Sequence, residues 1–79
     1  MNAADLEVEV RRLVALILKL PADATDMRRS DVAEWDSLKH MEIVFALEDR
    51  YHVQFDESEF AAMTSSSAIA ALLQPRLET

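Results

Sequence analysis

Residues 35–51 read WDSLKHMEIVFALEDRY, and they predict the helix around which the rest of the chain is arranged. With about 100° per residue and Ser37 at zero, one group of apolar side chains falls between roughly 240° and 340°: Ile43, Val44, Leu47 and Tyr51. A second group falls between about 40° and 100°: Met41, Phe45 and Leu38. A helix that packs on one face needs an apolar stripe little over 100° wide, whereas this arc spans about 220°. We therefore expect part of the arc to stay exposed, with Ser37 inside it at the helix start.

The composition limits the classes of protein to which the chain can belong. Its 79 residues predict one small domain over residues 1–79. The absence of cysteine excludes a disulfide framework and a thiolate metal site, and it fits a reducing, cytoplasmic location. We expect no signal peptide, because the first residues include acids and lack a long apolar run. We also expect no membrane span, because no segment approaches about 20 apolar residues.

The net charge of −7 indicates which partners suit the chain. Phosphate binding requires Lys and Arg, so nucleic acid and anionic membranes are not expected partners. Basic protein surfaces are the natural complement, and we expect the chain itself to be a monomer. The acidity also has a simpler interpretation, because net charge keeps a small domain soluble.

The chain before residue 35 predicts one helix and a long connection. The helix should begin at a cap near Asn2 and end at Pro21, since the residue before a proline is disfavoured in the α region. Its buried face should consist of Leu6, Val10, Leu13, Val14, Ile17 and Leu20. Residues 21–35 form a long connection. Loops of this length often have a functional role, although this one could serve only to join two helices. Asp31 could cap a short turn within it, and three apolar residues should anchor it to the core: Met27, Val32 and Trp35.

The second and third helices follow from their caps. The second helix, capped by Asp36 or Ser37, should end near His52. Because the chain has no glycine, His52 should take the left-handed conformation that glycine usually supplies at a helix end. A short extended piece over residues 53–55 leads to a third helix of about two turns, where Asp56 and Glu59 have the spacing of a capping box. The side chains of this helix that face inward should be Phe60 and Met63.

The last helix completes the fold. The run Thr64-Ser65-Ser66-Ser67 should supply its cap, and its apolar stripe should consist of Ala68, Ile69, Leu72 and Leu73. Pro75 should stop or kink the helix and leave residues 76–79 frayed. The predicted fold class is therefore all-α, a small antiparallel four-helix bundle with a long loop between the first two helices and a short third helix.

The chain is not expected to be an enzyme. Ser37 and His40 lie at positions i and i+3, but a serine triad also needs an oxyanion hole and a concave substrate site, for which a small bundle has little room. His40 and His52 are about three turns apart, so they cannot share a metal ion. Phosphate-cradling loops and EF-hand loops need glycine, and the chain has none.

Ser37 has two interpretations from the residues alone. Serine is a preferred N-cap, and most such serines have no further role. A hydroxyl at a helix start, beside exposed apolar surface and several acids, also indicates an attachment point next to a docking surface.

Three segments resemble those of acyl carrier proteins. Residues 35–48 are similar to the Asp-Ser-Leu motif and recognition helix of that family. Residues 51–55 resemble its aromatic, glycine, aliphatic sequence after the helix, and residues 64–73 resemble its last helix. The tripeptide alone is weakly specific, but in this register the resemblance extends from Leu6 to Leu73.

The resemblance implies a 4′-phosphopantetheine arm joined to Ser37 through a phosphodiester. A separate phosphopantetheinyl transferase attaches such an arm from coenzyme A, using magnesium, and the thiol of the arm carries acyl or aminoacyl groups as thioesters. Asp36 would help to present Ser37 to the transferase. Enzymes that load, condense or transfer the cargo would dock through basic surfaces on Leu38, Lys39, Met41, Glu42, Phe45, Glu48 and Asp49.

The chain departs from the family pattern in ways that affect the expected pathway. Glycine usually occurs shortly before the motif and just after the second helix, where residues 33–35 and His52 stand here. Lys39 occupies a position that is often acidic in fatty-acid carriers, and His40 follows it. The Trp-Asp-Ser-Leu form with His40 is more similar to discrete carriers of specialised pathways, for polyketides or activated amino acids, and fatty-acid biosynthesis stays among the expected pathways. The competing interpretation is a cofactor-free helical adaptor that uses the same acidic and apolar face only for binding.

Overall fold

The computed structural model describes residues 2–21 and 26–77, apart from the side chain of Ala3. Over these residues the chain forms four α-helices: α1 (Ala3–Leu18), α2 (Ser37–Tyr51), α3 (Glu57–Ala62) and α4 (Ser66–Leu77). A 3₁₀ turn, Arg29–Asp31, lies between α1 and α2. The described residues contain no β-strand, and an isolated bridge pairs Arg28 with Ser65. The predicted all-α class and helical bundle are confirmed, and none of the described helices has the length and apolar character needed to cross a membrane.

Helix caps are placed largely as the sequence predicts. Asn2 caps α1 by accepting a hydrogen bond from the Asp5 N–H at 2.9 Å. Asp56 and Glu59 form the predicted capping box, in which each side chain accepts from the backbone N–H of the other residue. Ser65 caps α4 by accepting from the Ala68 N–H at 3.0 Å. These bonds give partners to N–H groups that a helix leaves unpaired in its first turn.

Two helices end in left-handed residues that are not glycine. His52 after α2 has φ 55°, as predicted, and Lys19 after α1 has φ 60°. The prediction that Pro21 ends α1 is wrong, because the helix stops at Leu18 and Lys19 turns the chain. The Leu20 N–H then bonds the Ala15 carbonyl at 2.9 Å, which is the pairing of a Schellman motif.

The core lies where α1 packs against both α2 and α4. The predicted stripe of α1 is right for Leu6, Val10 and Val14, which are buried. Leu13, Ile17 and Leu20 are only half-buried, whereas Ala15 and Leu18 are buried and were not predicted. Contact with two neighbouring helices widens the buried arc of α1 beyond one stripe. The core cluster is completed by Trp35, Ile43, Val44, Leu47, Phe55, Met63, Ile69, Ala70 and Leu73.

The third helix and the stripe of α4 are close to the prediction. Met63 is fully buried and follows α3 as its C-cap, while Phe60 is half-buried against the core. On α4, Ile69 and Leu73 are buried, whereas Ala68 and Leu72 are half-buried.

Pro75 neither ends α4 nor leaves the next two residues frayed. The helix continues to Leu77, which packs against the core. Arg76 Nη1 donates to the Leu72 carbonyl at 3.1 Å, and Arg76 also pairs with Glu59. These contacts hold the turn after the proline, whose ring removes a helix hydrogen bond. Residues 78 and 79 of the predicted frayed tail lie outside the described residues.

The connection between α1 and α2 is attached to the core and to the start of α4. Trp35 is buried, and Met27 and Val32 are half-buried, as predicted. Asp31 ends the 3₁₀ turn and does not cap it, because the turn has no side-chain cap bond. The Arg29 N–H bonds the Thr64 carbonyl and the Ser66 N–H bonds the Met27 carbonyl, both at 2.9 Å. Residues 22–25 of the predicted connection lie outside the described residues.

Candidate attachment site and docking face

The start of α2 is capped by Asp36. Its backbone is extended, and its side chain accepts a hydrogen bond from the Lys39 N–H at 2.9 Å. Its carbonyl accepts from the His40 N–H at 2.8 Å. The sequence left the cap open between Asp36 and Ser37, and the structure assigns it to Asp36. Ser37 is therefore the first helical residue, and its hydroxyl is not needed as a cap.

The Ser37 side chain is exposed, and no described residue forms a hydrogen bond with its hydroxyl. It stands at the N-terminus of a 15-residue helix, where unpaired N–H groups and the helix dipole favour negative charge. The position therefore combines an accessible nucleophilic oxygen with an environment that suits a phosphate. Asp36 is the adjacent acidic group, and its carboxylate is engaged by the Lys39 N–H.

The apolar arc of α2 divides into a buried half and an exposed half, as predicted. Ile43, Val44 and Leu47 are fully buried. On the other side Leu38 is 69% exposed and Phe45 is 59% exposed, with Met41 half-buried between them along the helix. These side chains place apolar surface along one face of α2, beginning next to Ser37, and exposed apolar surface of this kind often marks an interaction site.

The acids of this face have different surroundings. Glu42 pairs with Lys39 at 3.2 Å, so its charge is partly compensated. Glu48 is half-buried, and its carboxylate accepts from the Phe55 N–H at 3.0 Å, which holds the chain after α2. Asp49 is exposed and has no hydrogen bond or ion pair among the described residues. Asp49 is therefore the acid of this face that is most available to a basic partner.

His40 and Trp35 form a buried pair at the start of α2. Trp35 Nε1 donates to His40 Nδ1 at 2.9 Å, and His40 Nε2 lies 2.9 Å from the Phe60 carbonyl oxygen. The sequence predicts Trp35 as a core anchor, and it presents His40 as a candidate catalytic or metal-binding residue and as a feature of the family resemblance, not as a partner of Trp35. The spacing in the sequence could have indicated this pair, because Trp35 precedes the cap of α2 and His40 is the fourth residue of the helix.

The same bonds bear on the enzyme interpretation. Both ring nitrogens of His40 are engaged, so the imidazole has no free nitrogen with which to deprotonate Ser37. No group of three or more His, Cys, Asp or Glu side chains within residues 2–21 and 26–77 is arranged to hold a metal ion. The site thus presents an exposed hydroxyl at a helix start beside exposed apolar side chains.

Comparison with known proteins identifies the family. A search among curated proteins found no match. A family model described as phosphopantetheine attachment site matches residues 8–73, which include all of α2 and α3 and most of α1 and α4. Domains of this family are the site of covalent 4′-phosphopantetheine attachment and are generally carriers without catalysis. The match covers most of the chain and confirms the resemblance to carrier proteins, so this chain belongs to the phosphopantetheine attachment site family.

Proposed function

We propose that Ser37 carries the 4′-phosphopantetheine arm and that residues 1–79 act as one carrier domain for acyl or aminoacyl intermediates. The observation that supports this most strongly is the exposed Ser37 hydroxyl at the first position of α2, which no described residue engages in a hydrogen bond while Asp36 serves as the cap. A cytoplasmic location belongs to the same proposal, because the cysteine-free chain fits a reducing compartment.

The residues at this position fit the group. A phosphodiester on Ser37 would lie beside the N-terminus of α2, where the dipole and unpaired N–H groups favour its charge. In the attachment step the Ser37 Oγ–phosphorus bond forms, adenosine 3′,5′-bisphosphate leaves coenzyme A, and the hydroxyl proton is released. This chain supplies only the oxygen and its placement, and the transferase with magnesium supplies the catalysis. The arm, when bound, supplies a thiol that can carry acyl groups as thioesters.

The remaining residues of the site present Ser37 and recognise partner enzymes. Asp36 keeps Ser37 at the helix start through its bond to the Lys39 N–H. Leu38 and Phe45 offer apolar contact, and Asp49 offers an available acid, so the fitting partner has an apolar pocket with a basic rim. Met41, Glu42 and Glu48 complete the proposed face, with Lys39 modifying its charge. Tethering raises the effective concentration of the cargo at such partners.

The pathway is proposed on the charge of this face. Lys39 compensates Glu42 at 3.2 Å, so the end of the face nearest Ser37 is less acidic than the sequence total suggests. This charge favours partners of specialised polyketide or aminoacyl pathways over those of fatty-acid biosynthesis, because fatty-acid carriers often have an acid at the position of Lys39.

The test is arm transfer from coenzyme A by a promiscuous transferase, followed by intact-mass measurement and peptide mapping. We expect wild type to gain one arm on Ser37 and Ser37→Ala to gain none. Ser30→Ala is the matched control, because Ser30 is also exposed but lacks the Asp-Ser-Leu context, and it should be labelled like wild type. Ser65, Ser66 and Ser67 should stay unlabelled, since their hydroxyls are engaged in hydrogen bonds.

The fold of Ser37→Ala should remain intact, because Asp36 still caps α2. The loss of stability should be below the ~1 kcal/mol typical of a lost cap. An arm mapped to another serine would contradict the assignment of Ser37. Wild type that remains unmodified by several transferases would support the cofactor-free adaptor instead.

A further inference from the structure

Trp35 and His40 occupy the two positions of a helix-entry staple. Asp36 is the N-cap of α2, so Trp35 is the residue before the cap and His40 is the fourth helical residue. Apolar side chains at these positions often pack together and fix the angle at which the chain enters a helix. Here the rings stack with centroids 6.1 Å apart and a hydrogen bond of 2.9 Å joins them. Both side chains are buried, with exposures of 3% and 5%.

The donors and acceptors determine the form of His40. An indole N–H can only donate, so the Nδ1 atom that receives the Trp35 N–H carries no proton. The imidazole proton is then on Nε2, which donates to the Phe60 carbonyl of α3 at 2.9 Å. His40 is therefore a neutral bridge with an acceptor facing the preceding turn and a donor facing α3.

The proposed attachment residue, Ser37, lies between Trp35 and His40 in the sequence. Ser37 and Leu38 lie between the two ends of the staple, and both are exposed. The residue before the cap is tied to His40, and His40 is tied to α3, so the helix start is fixed both to the incoming chain and to a neighbouring helix.

We propose that His40 is a positioning residue for arm attachment at Ser37, acting through the Trp35–His40–Phe60 chain of hydrogen bonds. This inference rests on the proposed function. Group transfer needs the attacking oxygen held near its reactive geometry, and small displacements are costly in rate. The docking face does not include His40, so its loss should lower kcat for arm transfer about tenfold and change KM by less than about twofold.

The experiment compares four forms of the chain as transferase substrates. His40→Leu fills similar space but removes both hydrogen bonds. His40→Gln offers an acceptor and a donor at a similar separation and should restore most of kcat. His52→Gln is the matched control, because it changes the other histidine, exposed at the far end of α2, and it should behave like wild type. Each form is assayed at a temperature where its circular dichroism shows the folded state.

Trp35 is the sole tryptophan, so a single indole N–H signal in the ¹H–¹⁵N spectrum reports on the bond to His40. This N–H should be protected from solvent exchange in wild type and His40→Gln and unprotected in His40→Leu. If His40→Leu does not fold, Trp35→Phe replaces it, since that variant keeps a ring but removes the donor, and the same loss of kcat is expected.

The outcomes separate this inference from the proposed function. A folded His40→Leu with wild-type kcat and an unprotected indole N–H, or a folded Trp35→Phe with wild-type kcat, would overturn the positioning role while leaving Ser37 as the attachment site. Failure of His40→Gln to restore kcat, although its indole N–H is protected, would overturn it as well. A wild type that accepts no arm at all would overturn the proposed function and this inference together.

Discussion

The Ser66 hydroxyl donates a hydrogen bond of 2.6 Å to the carboxylate of Asp26, although the two residues are 40 positions apart. The same carboxylate accepts from the Ser67 N–H at 2.8 Å and from the Ser67 hydroxyl at 3.0 Å. Ser66 is almost fully buried and also accepts from the Met27 N–H at 3.1 Å. This cluster attaches the connection before α2 to the first turn of α4.

Asp26→Asn should make the fold less sensitive to acid. Partial burial raises the pKa of Asp26, but hydrogen bonds from Ser66 and Ser67 outweigh burial, so its pKa in the fold lies below the ordinary value. Because the pKa of Asp26 is lower in the fold than in the unfolded chain, the charged carboxylate stabilises the fold at pH values above the unfolded pKa of about 4. This stability is lost as the pH falls through the pKa of the folded state. Thermal melts across pH should therefore show a lower Tm for Asp26→Asn at neutral pH and a smaller difference from wild type below pH of about 4.

The control for this change is Asp49→Asn, which removes an exposed carboxylate without a hydrogen bond among the described residues. It should keep the wild-type response to acid. A difference between Asp26→Asn and wild type that does not vary with pH would contradict the role given to the charged carboxylate.

Leu47→Ala and Phe45→Ala should separate the two halves of the apolar arc of α2. Leu47 is fully buried, so its truncation should cost about 2–5 kcal/mol in the free energy of unfolding. Phe45 is 59% exposed, so its truncation should cost less than about 1 kcal/mol and should instead weaken use by partner enzymes. Urea unfolding measures both values. Equal losses of stability would show that the exposed side has been assigned wrongly.

His52→Gly should stabilise the domain by about 1 kcal/mol, because glycine adopts the left-handed conformation at φ 55° without the clash of a Cβ atom. His52→Ala is the matched comparison, since alanine keeps the Cβ atom and should leave stability nearly unchanged. Thermal and urea melts of the pair distinguish backbone from side-chain effects. Clear destabilisation by both changes would mean that the imidazole itself makes a stabilising contact.

Added salt should raise the Tm of the wild-type chain. A net charge of −7 on 79 residues implies mutual repulsion among the acids, and an increase in ionic strength from about 0.01 M to 0.15 M screens it. Magnesium should act at lower concentration because of its double charge. Melts that are the same at both ionic strengths would show that repulsion makes no net contribution to stability.

Much of the helical framework could be predicted because it depends on residues close together in the chain. A cap, a left-handed helix end or an amphipathic stripe is formed by side chains within a few positions, as for Asp56 with Glu59 and for His52. The exposure of Leu38 and Phe45 follows from the same arithmetic, since one helix cannot bury so wide an arc. The place of Ser37 at a helix start beside exposed apolar surface follows from this local pattern, whereas the arm on Ser37 is implied by the resemblance to acyl carrier proteins.

Only the tertiary structure decided which polar groups are buried and what they contact. Asp26 forms a hydrogen bond with Ser66, and His40 forms one with the Phe60 carbonyl, because packing brings distant segments together. Pro75 stays within α4 because Leu77 packs on the core and Arg76 pairs with Glu59. Local helix propensities do not predict these contacts. Local propensities act within one or two turns, whereas a hydrogen bond in the core depends on the arrangement of all the helices around it, which sequence periodicity does not specify.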